Sequence, residues 1–361
     1  MAKTRYETLD ALRGVAALAV VVYHLHAFNV TPDLLPSAHL AVDFFFVLSG
    51  FVVAHAYEAA RLGRMSWLDF ASRRLTRLMP LASLGAAVGL AVLLVKWRLF
   101  PGAEPPLANI LLAGILNLFM LPSFVGNTIY EHGIFPGDGP LWSLFFELAV
   151  NLVWGWIGVR LTMRQLALFV AASGLTMVAL ALLQGSTRMG VGPETFWGGM
   201  ARASFGFTLG VLLHRLRGAL SVPARRWAPL ACAGALALAF AGPAWLVHGP
   251  VQTLVWDLAW MLLALPAVVV VGAGQDGGGW LSKRLGELSY PVYVLHWPCV
   301  EVLAGVRQKL LPSLDWAAFS VLAMALVVLL AWLTLKLYDE PARRWLSRRL
   351  ARRAGPVVLS A

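Results

Sequence analysis

The stretch Leu9–His26, LDALRGVAALAVVVYHLH, has the length and apolar character of a membrane-crossing helix but carries one arginine and two histidines. Eleven helical steps separate Arg13 from His24, which places them within about 20° of each other and roughly 16 Å apart along the axis. Ionisable groups in a membrane segment usually face a bundle interior or a water-filled cavity. We therefore expect this helix to point Arg13 and His24 into a cavity that the rest of the chain builds.

The composition indicates a polytopic membrane protein. Of 361 residues, 59% are hydrophobic and 13% are charged, which is too little charge to cover a soluble domain of this length. The net charge of +11 comes from Lys and Arg in short loops and near the C-terminus, as the positive-inside rule expects, and does not indicate a nucleic-acid partner. Cys232 and Cys299 lie in apolar runs and predict neither a disulfide framework nor a metal site.

Apolar runs recur along the whole chain, separated by short basic connections. The helical segments that they predict are Leu9–Phe28, Val42–Ala56, Leu81–Val95, Leu107–Leu121, Leu141–Gly158, Leu166–Leu183, Ala201–Leu213, Ala228–Val247, Thr253–Val271, Tyr290–Val306 and Trp316–Tyr338. When every clearly basic connection is placed inside, these segments pair, except that three lie between the basic 57–80 loop and the basic 159–165 turn. Leu107–Leu121 is short and precedes Pro122, so it is our candidate for a re-entrant segment.

These patterns predict an all-α fold, a polytopic transmembrane helical bundle of about ten crossings plus the re-entrant candidate, with both termini cytoplasmic. We assign residues 1–340 to the membrane domain and residues 341–361 to a basic cytoplasmic tail. The C-terminal run YDEPARRWLSRRLARR is typical of a basic amphipathic helix on the membrane surface.

His24 is the first candidate for catalysis, because imidazole titrates near neutral pH and can take a proton from a hydroxyl. Arg13 could hold an anion or keep a nearby carboxylate ionised. Asp43 opens the segment DFFFVLSGF (43–51). It either orients His24, as a carboxylate orients an imidazole in acyl-transfer sites, or favours the dipole at a helix start. In the same segment Ser49 is a candidate substrate contact, or else permits close helix packing together with Gly50.

Three arginines occur in the run RRLTRLMP (73–80), just before a predicted helix on the inner side. Arg74 and Arg77 are one helical turn apart and share a face, and Arg73 precedes them. Two interpretations fit these arginines. They are either positive-inside charges or a clamp for a phosphorylated cytosolic ligand, because guanidinium groups suit phosphate.

Two further runs place polar groups inside apolar helices. Glu147 of PLWSLFFEL (140–148) is a functional candidate because carboxylates are costly in a membrane, with a hydrogen-bonded structural role as the alternative. Trp142 of the same run is a candidate substrate contact. So are Tyr293 and His296 of GELSYPVYVLHWP (286–298), although Tyr293 also fits an interfacial aromatic belt.

Six motifs in a fixed order carry a family resemblance. They are LDALRGVAALAVVVYHL, DFFFVLSGF, RRLTRLMP, PLWSLFFE, LSYPVYVLHWP and YDEPARRWL. Together they resemble the bacterial acyltransferase-3 membrane enzymes, the group of O-antigen and exopolysaccharide O-acyltransferases, over about residues 7–348. The resemblance implies a helical bundle in the bacterial inner membrane that transfers an acyl group, usually acetyl from acetyl-CoA, to a hydroxyl or amine of a sugar or lipid-linked acceptor.

The same resemblance implies roles for individual residues. It makes His24 the catalytic histidine, with Arg13 as its motif partner. It places Arg74 and Arg77 in an arginine pair associated with acyl-CoA binding. Many relatives carry two consecutive acidic residues after the Trp-Ser motif, whereas here Glu147 is followed by Leu148.

The residues and the resemblance together predict an acyl-CoA-dependent O-acyltransferase that uses no metal. We expect the acyl-CoA phosphates to bind the arginines of the 73–80 run, and His24 to deprotonate the acceptor hydroxyl, oriented by Asp43 or Glu147. Besides acyl-CoA, the expected partners are membrane lipid and a sugar, polysaccharide or lipid-linked acceptor. The acceptor, the acyl chain length and the oligomeric state stay open.

The competing class is a proton-coupled transporter or a flippase of a sugar or lipid-linked sugar. The same ionisable residues would then form a proton relay. The sequence shows no internal repeat, and its cytosolic arginine cluster suits phosphates, so both features favour the enzyme. A membrane scaffold, the third class, predicts tolerance of substitutions at His24 and Arg77.

Overall fold

Helices make up nearly all of the regular structure. The computed structural model describes residues 6–99, 105–125, 133–220, 222–275 and 279–353, and within these ranges it contains no β-strand. The helices are α1 (Glu7–Ala27), α2 (Leu40–Leu62), α3 (Trp67–Leu99), α4 (Leu107–Leu118), α5 (Leu141–Trp156), α6 (Met163–Gln184), α7 (Phe196–Leu216), α8 (Ala228–Ala241), α9 (Pro243–Leu246), α10 (Pro250–Ala259), α11 (Leu265–Ala273), α12 (Gly279–Leu310), α13 (Trp316–Thr334) and α14 (Glu340–Arg353). A π-helical turn joins α10 to α11 over Trp260–Ala264, and a second joins α13 to α14 over Leu335–Asp339.

The prediction of an all-helical membrane bundle is confirmed. Among the described residues, six helical segments are long and apolar enough to cross a membrane: α1, α2, α3, α6, the continuous α10–α11 segment and the α13–α14 segment. The helix α4 has 12 residues. It therefore spans about 18 Å, less than the roughly 30 Å thickness of a bilayer core. The count of about ten crossings stays a prediction.

Helix α3 begins earlier than the sequence predicted. It starts at Trp67 rather than near Leu81, and it continues through Pro80. The three arginines at 73, 74 and 77 therefore lie on a helix and not in a loop, and the connection between α2 and α3 shrinks to residues 63–66. Hydropathy placed the start too late because this first part of α3 is polar, although a helix that also packs inside the protein can carry polar residues on one face.

Two close helix pairs organise the core. The helix α1 packs along α12, and α2 packs along α7. At the second pair an added Cβ on Gly50 would lie 1.9 Å from the carbonyl oxygen of Phe207, and one on Gly210 would lie 2.0 Å from that of Val47. Glycine is therefore required where these two backbones touch, as is common between membrane helices.

The C-terminal segment returns to the core. The helix α14 packs against α3. The Tyr338 hydroxyl, in the π-helical turn before α14, donates to the carbonyl oxygen of Pro80 at 3.2 Å. The structure confirms the predicted C-terminal helix as far as Arg353, while its position on a membrane surface and the domain boundary at residue 340 stay predictions.

Candidate functional site

A cavity of about 130 Å³ lies between α1, α2, α3, α5 and α12. Six of the residues that the sequence singled out line it: Arg13, Ser49, Arg74, Arg77, Glu147 and Tyr293. They come from five helices that are far apart in the sequence. Packing of these helices therefore brings separate sequence motifs together around one cavity.

One wall of the cavity carries a carboxylate between a hydroxyl and a guanidinium. Glu147 Oε1 accepts a hydrogen bond from Ser49 Oγ at 2.6 Å and lies 3.4 Å from Arg74 Nη2. Arg74 is 6% exposed, so its charge is held inside the protein. A buried charge needs such partners, because leaving it unpaired is costly.

Two further arginines make the cavity positive. Arg13 Nε donates to Ser289 Oγ at 2.8 Å, and its Nη2 donates to the carbonyl oxygen of Gly286 at 2.8 Å and to Asp10 at 2.9 Å. Arg77 is exposed, and within the described ranges it has neither an ion pair nor a hydrogen bond. The charged side chains that line the cavity are thus three guanidiniums and the single carboxylate of Glu147. Such a site is suited to an anion, and guanidinium groups match phosphate oxygens well.

A hydrogen-bonded pair closes the far end of the cavity. The hydroxyl groups of Tyr293 and Ser143 lie 2.6 Å apart. The Phe45 ring meets the Tyr293 ring edge-on, with centroids 5.6 Å apart. On its other side Tyr293 contacts His296, with ring centroids 5.7 Å apart. Tyr293 therefore separates the arginine-lined cavity from the layer that contains His296.

His24 lies in that next layer, paired with His296. His24 Nδ1 and His296 Nε2 are 2.9 Å apart, and the ring centroids are 4.9 Å apart with 29° between the ring planes. The Trp297 ring meets His24 edge-on at 4.9 Å. Arg13 and His24 both contact α12, so their predicted common face is confirmed. However, Arg13 lines the cavity and His24 lies behind its end wall.

Asp43 does not contact His24, and the prediction that it orients this imidazole is wrong. Its two carboxylate oxygens accept from Arg202, Oδ1 from Nε at 3.0 Å and Oδ2 from Nη2 at 2.7 Å. Arg202 also donates to the carbonyl oxygen of Met189 at 2.7 Å. Glu147, the other predicted orienting group, is bound to Ser49 and Arg74 instead. The side chain that is hydrogen-bonded to His24 is a histidine, His296.

Two further candidates lie outside the cavity. Trp142 is buried under Arg202, whose guanidinium carbon lies 5.3 Å from the ring centroid. Arg73 is exposed and is not among the residues that line the cavity, because it points about 100° away from Arg74 on the same helix. Of the three arginines of this run, only Arg74 and Arg77 share the cavity face. The catalytic and binding roles of all these residues stay predictions.

Sequence reasoning missed Arg202, which was read as part of an apolar segment. The signal was present, since an arginine within an apolar run is as unusual here as Arg13 is in α1. It also missed the cavity residues Ser143 and Ser289. Small hydroxyls within helices carry no comparable signal, because they usually bond their own backbone. Within the described ranges, no group of three or more His, Cys, Asp or Glu side chains is arranged to hold a metal ion.

A family model for an acyltransferase domain, acyltransferase family 3, matches residues 6–336. The chain belongs to this family. The match spans every element that contributes to the cavity and to the histidine pair. The family resemblance seen in the six sequence motifs is therefore confirmed. No solved structure matches the chain.

Several curated proteins are similar to this acyltransferase-3 chain. Protein 2 in picA locus of Rhizobium radiobacter is 36% identical over 187 residues, covering 49% of this chain and 95% of that protein. The peptidoglycan O-acetyltransferase OatA of Listeria monocytogenes is 23% identical over 94% of this chain. The putative peptidoglycan O-acetyltransferase YrhL of Bacillus subtilis is 25% identical over 96% of this chain. This chain spans 57% and 56% of the lengths of these two O-acetyltransferases.

Proposed function

We propose that this acyltransferase-3 chain transfers an acyl group, with acetyl the first choice, from acyl-CoA to a hydroxyl of a sugar, polysaccharide or lipid-linked acceptor. The arrangement of the positive cavity carries the proposal, because it leads from Arg77, which has no partner among the described residues, towards the histidine pair. Two relatives named as O-acetyltransferases support acetyl as the acyl group and an envelope polysaccharide as the acceptor class.

The donor binds in the cavity. Its phosphates lie against Arg74 and Arg77, where Arg77 has no competing partner among the described residues. Glu147 keeps Arg74 in place through their contact at 3.4 Å, and Ser49 holds Glu147. The flexible arm of the donor then runs along the apolar part of the wall towards Tyr293. The Tyr293 side chain must rotate to let the thioester reach His24.

His24 supplies the base. Its free ring nitrogen takes the proton of the acceptor hydroxyl, whose oxygen attacks the thioester carbonyl carbon. The new ester bond forms as the carbon–sulfur bond breaks, and the CoA thiolate leaves and takes a proton. Acid–base catalysis of this kind needs no metal.

The cavity lies at the cytoplasmic side in this proposal. Its arginines lie at one end, Arg13 near the beginning of α1 and Arg74 and Arg77 near the beginning of α3, while its lining along α2 runs from Val42 to Val53. Basic side chains gather at the same end, where Arg215 of α7 donates to Glu58 of α2 at 2.6 Å. Under the positive-inside rule this end faces the cytosol, the compartment that holds acyl-CoA. The protein is then a multi-pass plasma-membrane enzyme with both described ends of the chain inside.

Donor binding tests the cavity without knowledge of the acceptor. We expect purified protein to bind acetyl-CoA saturably in calorimetry, and Arg74→Ala/Arg77→Ala to weaken binding at least tenfold. Each hydrogen bond between a phosphate oxygen and a charged guanidinium group contributes about 1.5–3 kcal/mol to binding. The matched control is Arg73→Ala, which removes the neighbouring arginine outside the cavity and should change affinity less than twofold. Unchanged binding in the double variant would place the donor elsewhere.

Transfer tests the base. We expect His24→Gln to lower acetyl transfer by about 10²–10⁴-fold, the usual contribution of a general base, while acetyl-CoA binding stays within twofold of the wild type. Transfer is measured as label from [¹⁴C]acetyl-CoA that enters envelope polysaccharide in membranes. His26→Gln is the matched control on the same helix. Full transfer by His24→Gln would remove His24 from the mechanism. Flux of unmodified sugar or lipid-linked sugar that does not depend on acyl-CoA would favour transport.

A further inference from the structure

His296 has a hydrogen on Nδ1. This atom lies 2.7 Å from the carbonyl oxygen of Tyr293 and 3.2 Å from that of Val292. Carbonyl oxygens only accept, so the ring nitrogen between them must donate. The side chain is 0% exposed, and a second proton would leave a full charge in an apolar layer. The ring is therefore neutral, and Nε2 carries a lone pair.

That lone pair fixes the hydrogen of the neighbouring ring. Nε2 of His296 lies 2.9 Å from Nδ1 of His24, and only one hydrogen fits between two nitrogens at this distance. Because His296 Nε2 has none, the hydrogen belongs to His24 Nδ1. Neutral imidazole carries one N–H, so His24 Nε2 is left without a hydrogen.

We propose that His296 is a positioning residue that holds His24 in the Nδ1–H tautomer and leaves Nε2 as the reactive base. The proposal rests on the proposed function for the role of His24, but the tautomer itself does not. It gives a neutral histidine the place that a carboxylate occupies in many acyl-transfer sites. The backbone carbonyl of Tyr293 is the fixed anchor of the arrangement.

Packing holds His24 in this orientation. The His296 ring meets the Nδ1 edge of His24, and the rings of Tyr23 and Trp297 meet His24 edge-on at 5.1 Å and 4.9 Å. The His24 ring bonds His296 through Nδ1, and the backbone of Val20 one turn earlier on α1 is its other hydrogen-bond partner. In the proposal, Nε2 is the nitrogen that an acceptor hydroxyl reaches.

The neutral partner has a consequence for the reaction. When Nε2 takes a proton, the imidazolium is bonded to another imidazole and not to a negative charge. The proton is then returned readily to the departing thiolate, so the same nitrogen serves as base and then as acid. We expect His296 to act on the rate of transfer and not on donor affinity, because it lies beyond the cavity wall formed by Tyr293.

Nitrogen NMR tests the tautomer directly. Protein with ¹⁵N-histidine is placed in nanodiscs at neutral pH, and the His24 signals are assigned by their loss in His24→Gln. We expect a hydrogen on Nδ1 and none on Nε2. In His296→Leu, which leaves His24 Nδ1 without this acceptor, we expect a mixture of both tautomers. His296→Gln restores an acceptor oxygen near the former Nε2 and should recover most of the Nδ1–H form.

Kinetics and a control complete the test. We expect His296→Leu to lower kcat at least tenfold with KM for acetyl-CoA unchanged within twofold, and His296→Gln to recover part of kcat. His26→Gln should leave the His24 signals unchanged. A wild-type His24 with its hydrogen on Nε2, or His24 signals unaffected by His296→Leu, would overturn the proposal. If the tautomer is as expected but His24→Gln retains transfer, the proposed role of His296 in setting the His24 tautomer is supported, and the proposed role of His24 as the base is wrong.

Discussion

At the scale of single residues, Asp43 and Arg202 form an ion pair with 4% and 2% of their surface exposed. Their bidentate contact is well formed, with bonds of 3.0 Å and 2.7 Å. A buried pair contributes little beyond an apolar substitute, but removing one partner leaves an uncompensated charge. A structural role of Asp43 therefore predicts that removing one partner costs more stability than replacing both. A catalytic role, which the sequence suggested, predicts a loss of transfer instead.

We expect Asp43→Leu and Arg202→Met each to destabilise the protein by about 3–5 kcal/mol, and the double variant to lose less than the sum. Unfolding in detergent measures stability, and acetyl transfer is normalised to folded protein. Asp33→Asn, at an exposed carboxylate of the connection between α1 and α2, is the control and should change stability by less than about 0.5 kcal/mol. A stable Asp43→Leu that has lost transfer would restore the catalytic assignment of Asp43.

Local periodicity predicted the face that Arg13 and His24 share, because helical geometry alone determines it. It could not predict their partners. His296 lies 272 residues from His24, and Arg202 lies 159 residues from Asp43. Only the packing of distant helices selects these pairs, and an isolated sequence contains no measure of that packing. The sequence predicts the wrong partner for Asp43 for this reason.

At the scale of helices, the contact between α2 and α7 depends on glycine. We expect Gly50→Ala to destabilise the protein by about 1–3 kcal/mol, since the new methyl group would overlap the Phe207 carbonyl and force the helices apart. Transfer should fall as well, because Ser49 next to it lines the cavity. The control is Gly305→Ala in α12, where an added Cβ meets nothing within 4 Å. It should be neutral or stabilising by up to about 1 kcal/mol.

Gly50→Ala with unchanged unfolding would mean that α2 and α7 are not in backbone contact. Close helix packing is one interpretation of Ser49 and Gly50 in the sequence, and the structure supports it for Gly50 only. Gly50 makes the contact, whereas Ser49 faces the cavity and holds Glu147. Neighbouring residues on a helix point about 100° apart, so a single motif can serve both purposes.

The ends of helices were harder to predict than their existence. Every apolar run became helical, since a bilayer leaves the backbone few other ways to satisfy its hydrogen bonds. The polar beginning of α3 was missed because hydropathy measures apolar character and not helicity. This error hid the fact that Arg74 and Arg77 sit on a rigid element. A clamp on a helix holds its geometry better than one on a loop.

At the scale of the whole molecule, composition was enough to predict a membrane protein, and the order of the motifs was enough to predict its family. Neither could show that the cavity and the histidine pair occupy successive layers separated by Tyr293. The separation of the cavity from the histidine pair follows from the packing of α1 along α12. Arg13 meets α12 at Ser289, and His24 meets it at His296, further along both helices. In the proposed reaction, donor and acceptor therefore approach from opposite ends of the bundle.

Cysteine labelling tests this sidedness. Starting from a variant with Cys232→Ala and Cys299→Ala, single cysteines replace Arg64, Arg77 or Asp33, all exposed in the structure. If the arginine end faces the cytosol, a membrane-impermeant maleimide should label Arg64→Cys and Arg77→Cys in inside-out vesicles, and Asp33→Cys in spheroplasts. Because the donor covers the cavity but not the 63–66 connection, acetyl-CoA should slow labelling at residue 77 severalfold, at a concentration that saturates the weakened Arg77→Cys variant, and leave residue 64 unaffected. Labelling of residues 33 and 77 from the same side would contradict passage of the acyl group across the bundle, and equal protection at residues 64 and 77 would contradict donor binding in the cavity.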